Sequence, residues 1–266
     1  MSEYQYYEFR AVDRPLSRDD QLDIRRVSSR ARITDRSFVN HYDFGDFKGD
    51  TWEFMERWFD LHVYVANWGT RRLMIRLPKG SIPQGTLDRL IMSVDEFEYR
   101  HAGNHLIISV TQHVGDIADD DWLLDDDAYL TALAPLRDDL MRGDLRMLYL
   151  VWLIGFAYEA YDKDAEEPLS GVGPLSPALT AFADFFMIDR ALLTAAAEYP
   201  ATLAAPVSPS RAKQIVAALS DKEKTDYLLR LLKNDPTASH ALNALVRERA
   251  EPAKSPPPTA FVPLAS

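Results

Sequence analysis

Along the first hundred or so residues, apolar and polar positions mostly alternate. Beyond them the apolar positions recur at helical spacing. A strand turns successive side chains to opposite faces, whereas recurrence every three to four positions marks one face of a helix. Residues 4–12 are aromatic and extended, and Asp13-Arg14-Pro15 ends them. Ser17, with Asp20 three residues on, predicts a capped helix to about residue 30, with Ile24, Val27 and Ala31 on one face. A strand over 37–44, a loop over 45–50 and a short helix over 51–59 follow. Residues 60–78 read as a hairpin, 82–92 as a helix, and 96–101 with 105–113 as a second hairpin across Ala102-Gly103-Asn104. Roughly six strands and three helices in this order predict an α+β fold: a mixed or antiparallel sheet layer with helices on one face.

After residue 115 the pattern is helical, with helices expected over 126–141, 144–161, 176–187, 189–198, 209–219, 221–233 and 236–249. Ser176-Pro177, Ser208-Pro209 and Asp235-Pro236 each place a proline in the first turn behind a capping residue. The segment 144–161 is apolar on all sides from Met147 to Tyr158, as expected of the central helix of a bundle. The organisation predicted is an α+β domain over 1–115, an acidic linker over 116–127, an all-α helical bundle over 128–250 and a flexible Pro-rich tail over 251–266.

The hairpin DLHVYVANWGTRRLMIRLP (60–78) has two unlike sides. Leu61, Val63 and Val65 share one face with Leu73, Ile75 and Leu77, an aliphatic side built for a core. The opposite side carries His62 and Tyr64 on one strand and Arg72, Met74 and Arg76 on the other, with Trp68 and Arg71 near the tip. If covered, that side is scaffold. If bare, it is a binding face of a kind that guanidinium forks and aromatic platforms suit.

Composition narrows the choices. The chain has 266 residues, nearly half of them apolar, which is enough for one large or two modest cores. The absence of cysteine rules out disulfides, thiolate metal sites and a cysteine nucleophile. The first residues carry acids and no apolar leader, and the longest apolar run, 147–158, is too short to span a bilayer, so a soluble cytoplasmic protein is expected. The net charge of −11 falls almost wholly after residue 115, which disfavours nucleic acid and anionic membranes as partners. In the near-neutral first half, 14 of the 16 basic residues are arginines, with Arg18, Arg25, Arg26, Arg30, Arg32 and Arg36 the densest stretch. Acids interleave them, and internal pairing accounts for them more simply than a nucleic-acid surface.

No motif for catalysis or phosphate binding occurs, and no cofactor is expected. His101 and His105 have a spacing some zinc sites use, but they flank a Gly-Asn turn without a second ligand pair, so no metal site is predicted. The acidic run GDIADDDWLLDDD (115–127) encloses Trp122, Leu123 and Leu124, which read either as part of a solvated linker or as a segment that docks on a partner.

The stretches EYQYYEFRAVDRPL (3–16), ANWGTRRLMIRLP (66–78) and GDLRMLYLVWL (143–153) resemble a family of uncharacterised bacterial proteins. Its members combine an α+β part, a helical part and often a charged helical extension beyond a Pro-rich linker. The resemblance spans most of residues 3–235 and implies that the Pro-rich end is similar to the point where longer members continue. It carries no activity, cofactor or catalytic residue. The first expectation is therefore a non-catalytic protein–protein interaction or regulatory protein with another protein as partner. The alternative is an enzyme or small-ligand or anion binder using His62, Tyr64, Trp68, Arg71, Arg72 and Arg76 on the hairpin face between the two domains. Nucleic-acid binding through the arginine-rich first helix comes third.

Overall fold

Ser17 begins the first helix as its sequence predicts. Its hydroxyl accepts from the Asp20 amide, and the Asp20 carboxylate accepts from the Ser17 amide, so two of the backbone donors at the helix start are satisfied reciprocally. The structure, a computed structural model, describes residues 4–43, 45–113, 128–157, 171–201, 207–233 and 238–250. Packing divides the chain into two units, Met1–Ala204 and Ala205–Ser266.

The first unit is built on β1 (Gln5–Arg10), β2 (Arg32–Ile33), β3 (Ser37–Tyr42), β4 (Leu61–Ala66), β5 (Thr70–Pro78), β6 (Phe97–Ala102) and β7 (His105–His113). They form one sheet in the order β2-β3-β1-β4-β5-β7-β6, antiparallel at every pairing. Its helices are α1 (Arg18–Val27), α2 (Thr51–Arg57), α3 (Gln84–Ser93), α4 (Ala128–Leu133), α5 (Pro135–Arg142), α6 (Arg146–Ala157), α7 (Pro177–Phe185) and α8 (Arg190–Glu198). The α+β class with an antiparallel sheet and a helical C-terminal part is as the pattern predicts.

Helices cover both faces of the sheet, not one. On the aliphatic face, Leu61, Val63, Val65, Leu73, Ile75 and Leu77 are all buried in a core shared with α3 and with α4 to α7. On the opposite face Phe9, Phe38, Met74 and Ile107 pack beneath Ile24 of α1 and Trp52, Phe54 and Met55 of α2. The second layer exists because apolar residues recur on that face of four strands, too many to leave in water. The all-apolar helix α6 buries Met147 to Ile154 in the same core as the sheet.

Two boundaries differ from the sequence reading for local reasons. The helix expected over 126–141 is interrupted at Ala134, because Pro135 lacks an amide to continue the ladder and starts α5 instead. The first helix stops at Val27. Arg25 then binds the carbonyls of Ser28, Ser29 and Ala31, which turns the chain into the short β2.

The second unit consists of α9 (Pro209–Ala217), α10 (Asp221–Leu232) and α11 (Ala238–Ala250). Ser208 and Ser220 cap α9 and α10 through their hydroxyls. Among the described side chains its buried apolar residues are only Ile215, Leu219, Ala238 and Val246.

Candidate functional site

The mixed side of the β4–β5 hairpin divides along its length. At the root the register places His62 between Phe9 on one neighbouring strand and Met74 on the other, where α2 closes over them. The His62 ring lies flat on Phe9 at 3.9 Å between centroids, and its Nδ1 donates to the Glu8 carbonyl, 2.9 Å away. Its Nε2 is buried without a hydrogen-bond partner. Burial, with the nearby Arg72 charge, holds its pKa down at about 3, so the ring is neutral at physiological pH.

Arg76 belongs to the scaffold. Its Nε and Nη2 both bind Asp60 Oδ1, at 3.0 and 2.8 Å, and its Nη1 donates to the carbonyls of Met55 and Glu56 at the end of α2. The other Asp60 oxygen accepts from the amides of Val12 and Asp13. From the opposite face of the sheet, Arg137 of α5 binds the Arg76 carbonyl and the Asp13 carboxylate, each at 2.8 Å. Burial pushes the Asp60 carboxyl up, but Arg76 and Arg137 outweigh it and hold the group below the usual carboxylate range. Asp13 is shifted the other way, by its own burial and by the Asp60 charge. This buried knot joins five chain segments, and nothing in the sequence marks it: Asp60 and Arg137 read as ordinary element-end and helix-surface charges.

Arg71 points to the aliphatic side, opposite Gln112, and is buried. Its Nη1 donates to the carbonyls of Asp184 and Phe185, so it caps the C-terminal end of α7, where the helix dipole favours a cation. Its Nε has no hydrogen-bond partner. Trp68, at the turn, is half-buried. Gly69 beside it has a φ of 89°, the left-handed conformation that lets three residues close the hairpin.

Toward the tip the mixed side opens. Tyr7 and Tyr64, with ring centroids 4.6 Å apart, both donate to Gln5 Oε1, and the Gln5 amide donates to the Gly45 carbonyl and Asp46. Burial raises both phenols, Tyr64 to about 12, so they are donors at physiological pH. Arg72 donates to the hydroxyls of Ser109 and Thr51 at 2.9 and 3.0 Å, and its ion-pair partner is the exposed Glu98 at 3.7 Å. The structure thus brings Tyr64 and Arg72 together in a half-open patch and sends His62, Arg71 and Arg76 to separate buried duties.

The remaining charged features are largely internal. Arg14 pairs with Asp20 and Arg26 with Asp23, while Arg36 binds the carbonyls of Ala11 and Val12. His101 and His105 occupy adjacent, not opposing, register positions, so they face opposite sides of the sheet and cannot share a metal ion. An open groove of about 530 Å³ lies between α1 and α2, but Asp23 and Glu53 in it already pair with Arg57, and Asp50 caps α2. Trp122, Leu123 and Leu124 lie outside the described residues, as does the whole acidic run 116–127.

A different surface stands out in the second unit. No residue of α10 is buried, and Leu228, Leu229, Leu231 and Leu232 are 60, 48, 46 and 79% exposed. At 100° per residue Leu228, Leu231 and Leu232 form one stripe, with Leu229 on its flank. By its sequence this helix reads as an ordinary bundle member. The available signal was the run YLLRLL, whose leucines outnumber what a single buried face can take.

Among the described residues no helix is long and apolar enough to cross a membrane. Comparison with protein-family models, with curated proteins and with solved structures finds no match to this chain.

Proposed function

We propose that the protein is a non-catalytic interaction protein that docks a protein partner on the leucine face of α10. The observation that supports this most is that four leucines on one helix are about half exposed or more. Contiguous apolar surface rimmed by charge is costly in water and marks an interaction site. A photo-reactive amino acid in place of Leu229, introduced at natural expression, is expected to give a discrete cross-linked protein band. Leu232→Glu in the same chain should abolish it. A chain that forms no cross-link under these conditions would contradict the proposal.

A second reading, binding of a small anion at Arg72, is supported by one feature. The Arg72 fork is positioned by two neutral hydroxyls, and its acidic partner Glu98 is distant and solvated. An oxyanion such as inorganic phosphate could then replace Glu98 beside the guanidinium, with the phenols of Tyr7 and Tyr64 nearby. Phosphate should raise the melting temperature of the wild-type chain and leave that of Arg72→Met unchanged. Equal shifts in both would count against a site there.

A further inference from the structure

The two edges of the sheet are unlike. At one end β2 is two residues long and offers little main chain to pair with. At the other, β6 runs for six residues without a proline, held to β7 in one unbroken register from Phe97↔Val110 to Ala102↔His105. Soluble proteins ordinarily shorten, kink or cover such an edge, because its free amides and carbonyls are a template for another strand. In line with this register the Thr111 amide donates to the Glu96 carbonyl, so by alternation Glu98, Arg100 and Ala102 turn their main chain to β7. Phe97, Tyr99 and His101 turn theirs outward. The Phe97 amide is taken by the Val94 carbonyl. The Phe97 carbonyl, with the amides and carbonyls of Tyr99 and His101, has no backbone partner among the described residues, and Glu98, Arg100 and His101 are exposed.

Charge selects the strand that fits. Glu98 and Arg100 share the α2 face of the sheet, where Glu98 lies 3.7 Å from Arg72 and the Arg100 guanidinium lies 4.2 Å above the Trp52 ring. When two identical strands pair antiparallel, their outward main chains meet only if the two-fold axis passes through a residue. An axis at Glu98 sets Glu98 opposite Glu98, and one at Arg100 sets Arg100 opposite Arg100. An axis at Tyr99 matches the whole outward edge, Phe97 to His101, with itself and sets each Glu98 directly opposite the Arg100 of the other copy. Axes farther along bring less of the strand into contact. We propose that β6 pairs antiparallel with β6 of a second copy of this chain, on a two-fold axis at Tyr99, so that the two sheets join into one. The amide and carbonyl of Tyr99 bond those of the other Tyr99, and each His101 amide donates to the Phe97 carbonyl opposite it. Such an interface is isologous, so both Glu98–Arg100 contacts arise together. The pairing does not involve the α10 surface.

The test is sedimentation velocity on the full chain from micromolar to sub-millimolar concentration, a range set by the small size of the interface. The mass is expected to rise from one chain toward two, and amide exchange over 97–102 to slow in step with it. Glu98→Arg and Arg100→Glu should each weaken self-association by about tenfold, since each sets like charges opposite one another at both contacts. An equimolar mixture of these two variants should associate about as well as wild type, because every cross-strand pair is then opposite in sign again. His101→Pro removes an outward amide without costing a bond to β7, and should hold the mass at one chain. Leu232→Glu should leave the association unchanged. A mixture that associates no better than its components overturns the register at Tyr99. Edge pairing itself is overturned by a wild-type chain of single mass at every concentration, or by a rise in mass without slower exchange over 97–102. A rise that Leu232→Glu abolishes also overturns it and assigns the self-association to α10.

Discussion

In the sheet-based unit a carboxylate as polar as Asp60 is wholly buried, while in the second unit a side chain as apolar as Leu232 stands in solvent. The two regions invert the ordinary rule that apolar groups go inside and charges outside. Asp60 tolerates burial because both oxygens are occupied, by two backbone amides and the Arg76 fork, with Arg137 adding charge at 3.7 Å. Leu232 has no comparable arrangement around it. A buried charge with complete partners signals architecture, and an exposed apolar stripe without them signals unfinished business with another surface.

The strongest way to break this contrast is Asp60→Asn. It keeps the shape but leaves the Arg76 and Arg137 charges short of their counter-ion, and should cost roughly 3–5 kcal/mol in urea unfolding followed by tryptophan fluorescence. A loss below about 1 kcal/mol would mean that the knot is decoration. Next in size is the pH response of His62. Its folded pKa of about 3 lies below the ordinary 6.5, so the unfolded chain binds the proton first. The stability due to this group is complete above pH 6.5. It declines as pH falls, by about 1.4 kcal/mol per unit, until the folded ring also titrates. His62→Phe should flatten the stability profile between about pH 6.5 and 4.5 relative to wild type, whatever its absolute stability. Parallel profiles for the two chains would show that the ring does not stay neutral in the fold.

Arg71→Met should cost about 1–2 kcal/mol, since it removes the cationic cap of α7 while keeping the buried stem, and thermal melting would report it. Smallest of all, Leu232→Glu should change monomer stability by no more than about 0.5 kcal/mol, because nothing in its own chain encloses the side chain. A larger loss, measured on dilute monomer, would place Leu232 in a core and erase the distinction drawn above.

The hairpin shows how far a sequence can be read. Its aliphatic side could be assigned by alternation, since period-two patterning determines which residues share a face. The fate of its mixed side could not. His62, Tyr64, Arg72 and Arg76 have the same phase along the chain, yet α2 covers the root and leaves the tip half open. Arg71, grouped with them by proximity, is on the other face altogether and meets α7 more than a hundred positions away in sequence. Pro135, by contrast, was a legible signal that the pattern of leucines around it obscured.

What the sequence alone determined is local: the caps at Ser17, Ser176 and Ser208, the strand and helix periods, the apolar α6, and the α+β class they add up to. Each depends on interactions within a few residues, which any chain carries wherever it goes. The tertiary structure decided that helices cover both faces of the sheet, that Asp60 is enclosed by two arginines from opposite sides, and that α10 is left with its leucines uncovered. Those outcomes depend on which distant surfaces meet, and burial is a property of the neighbours as much as of the residue.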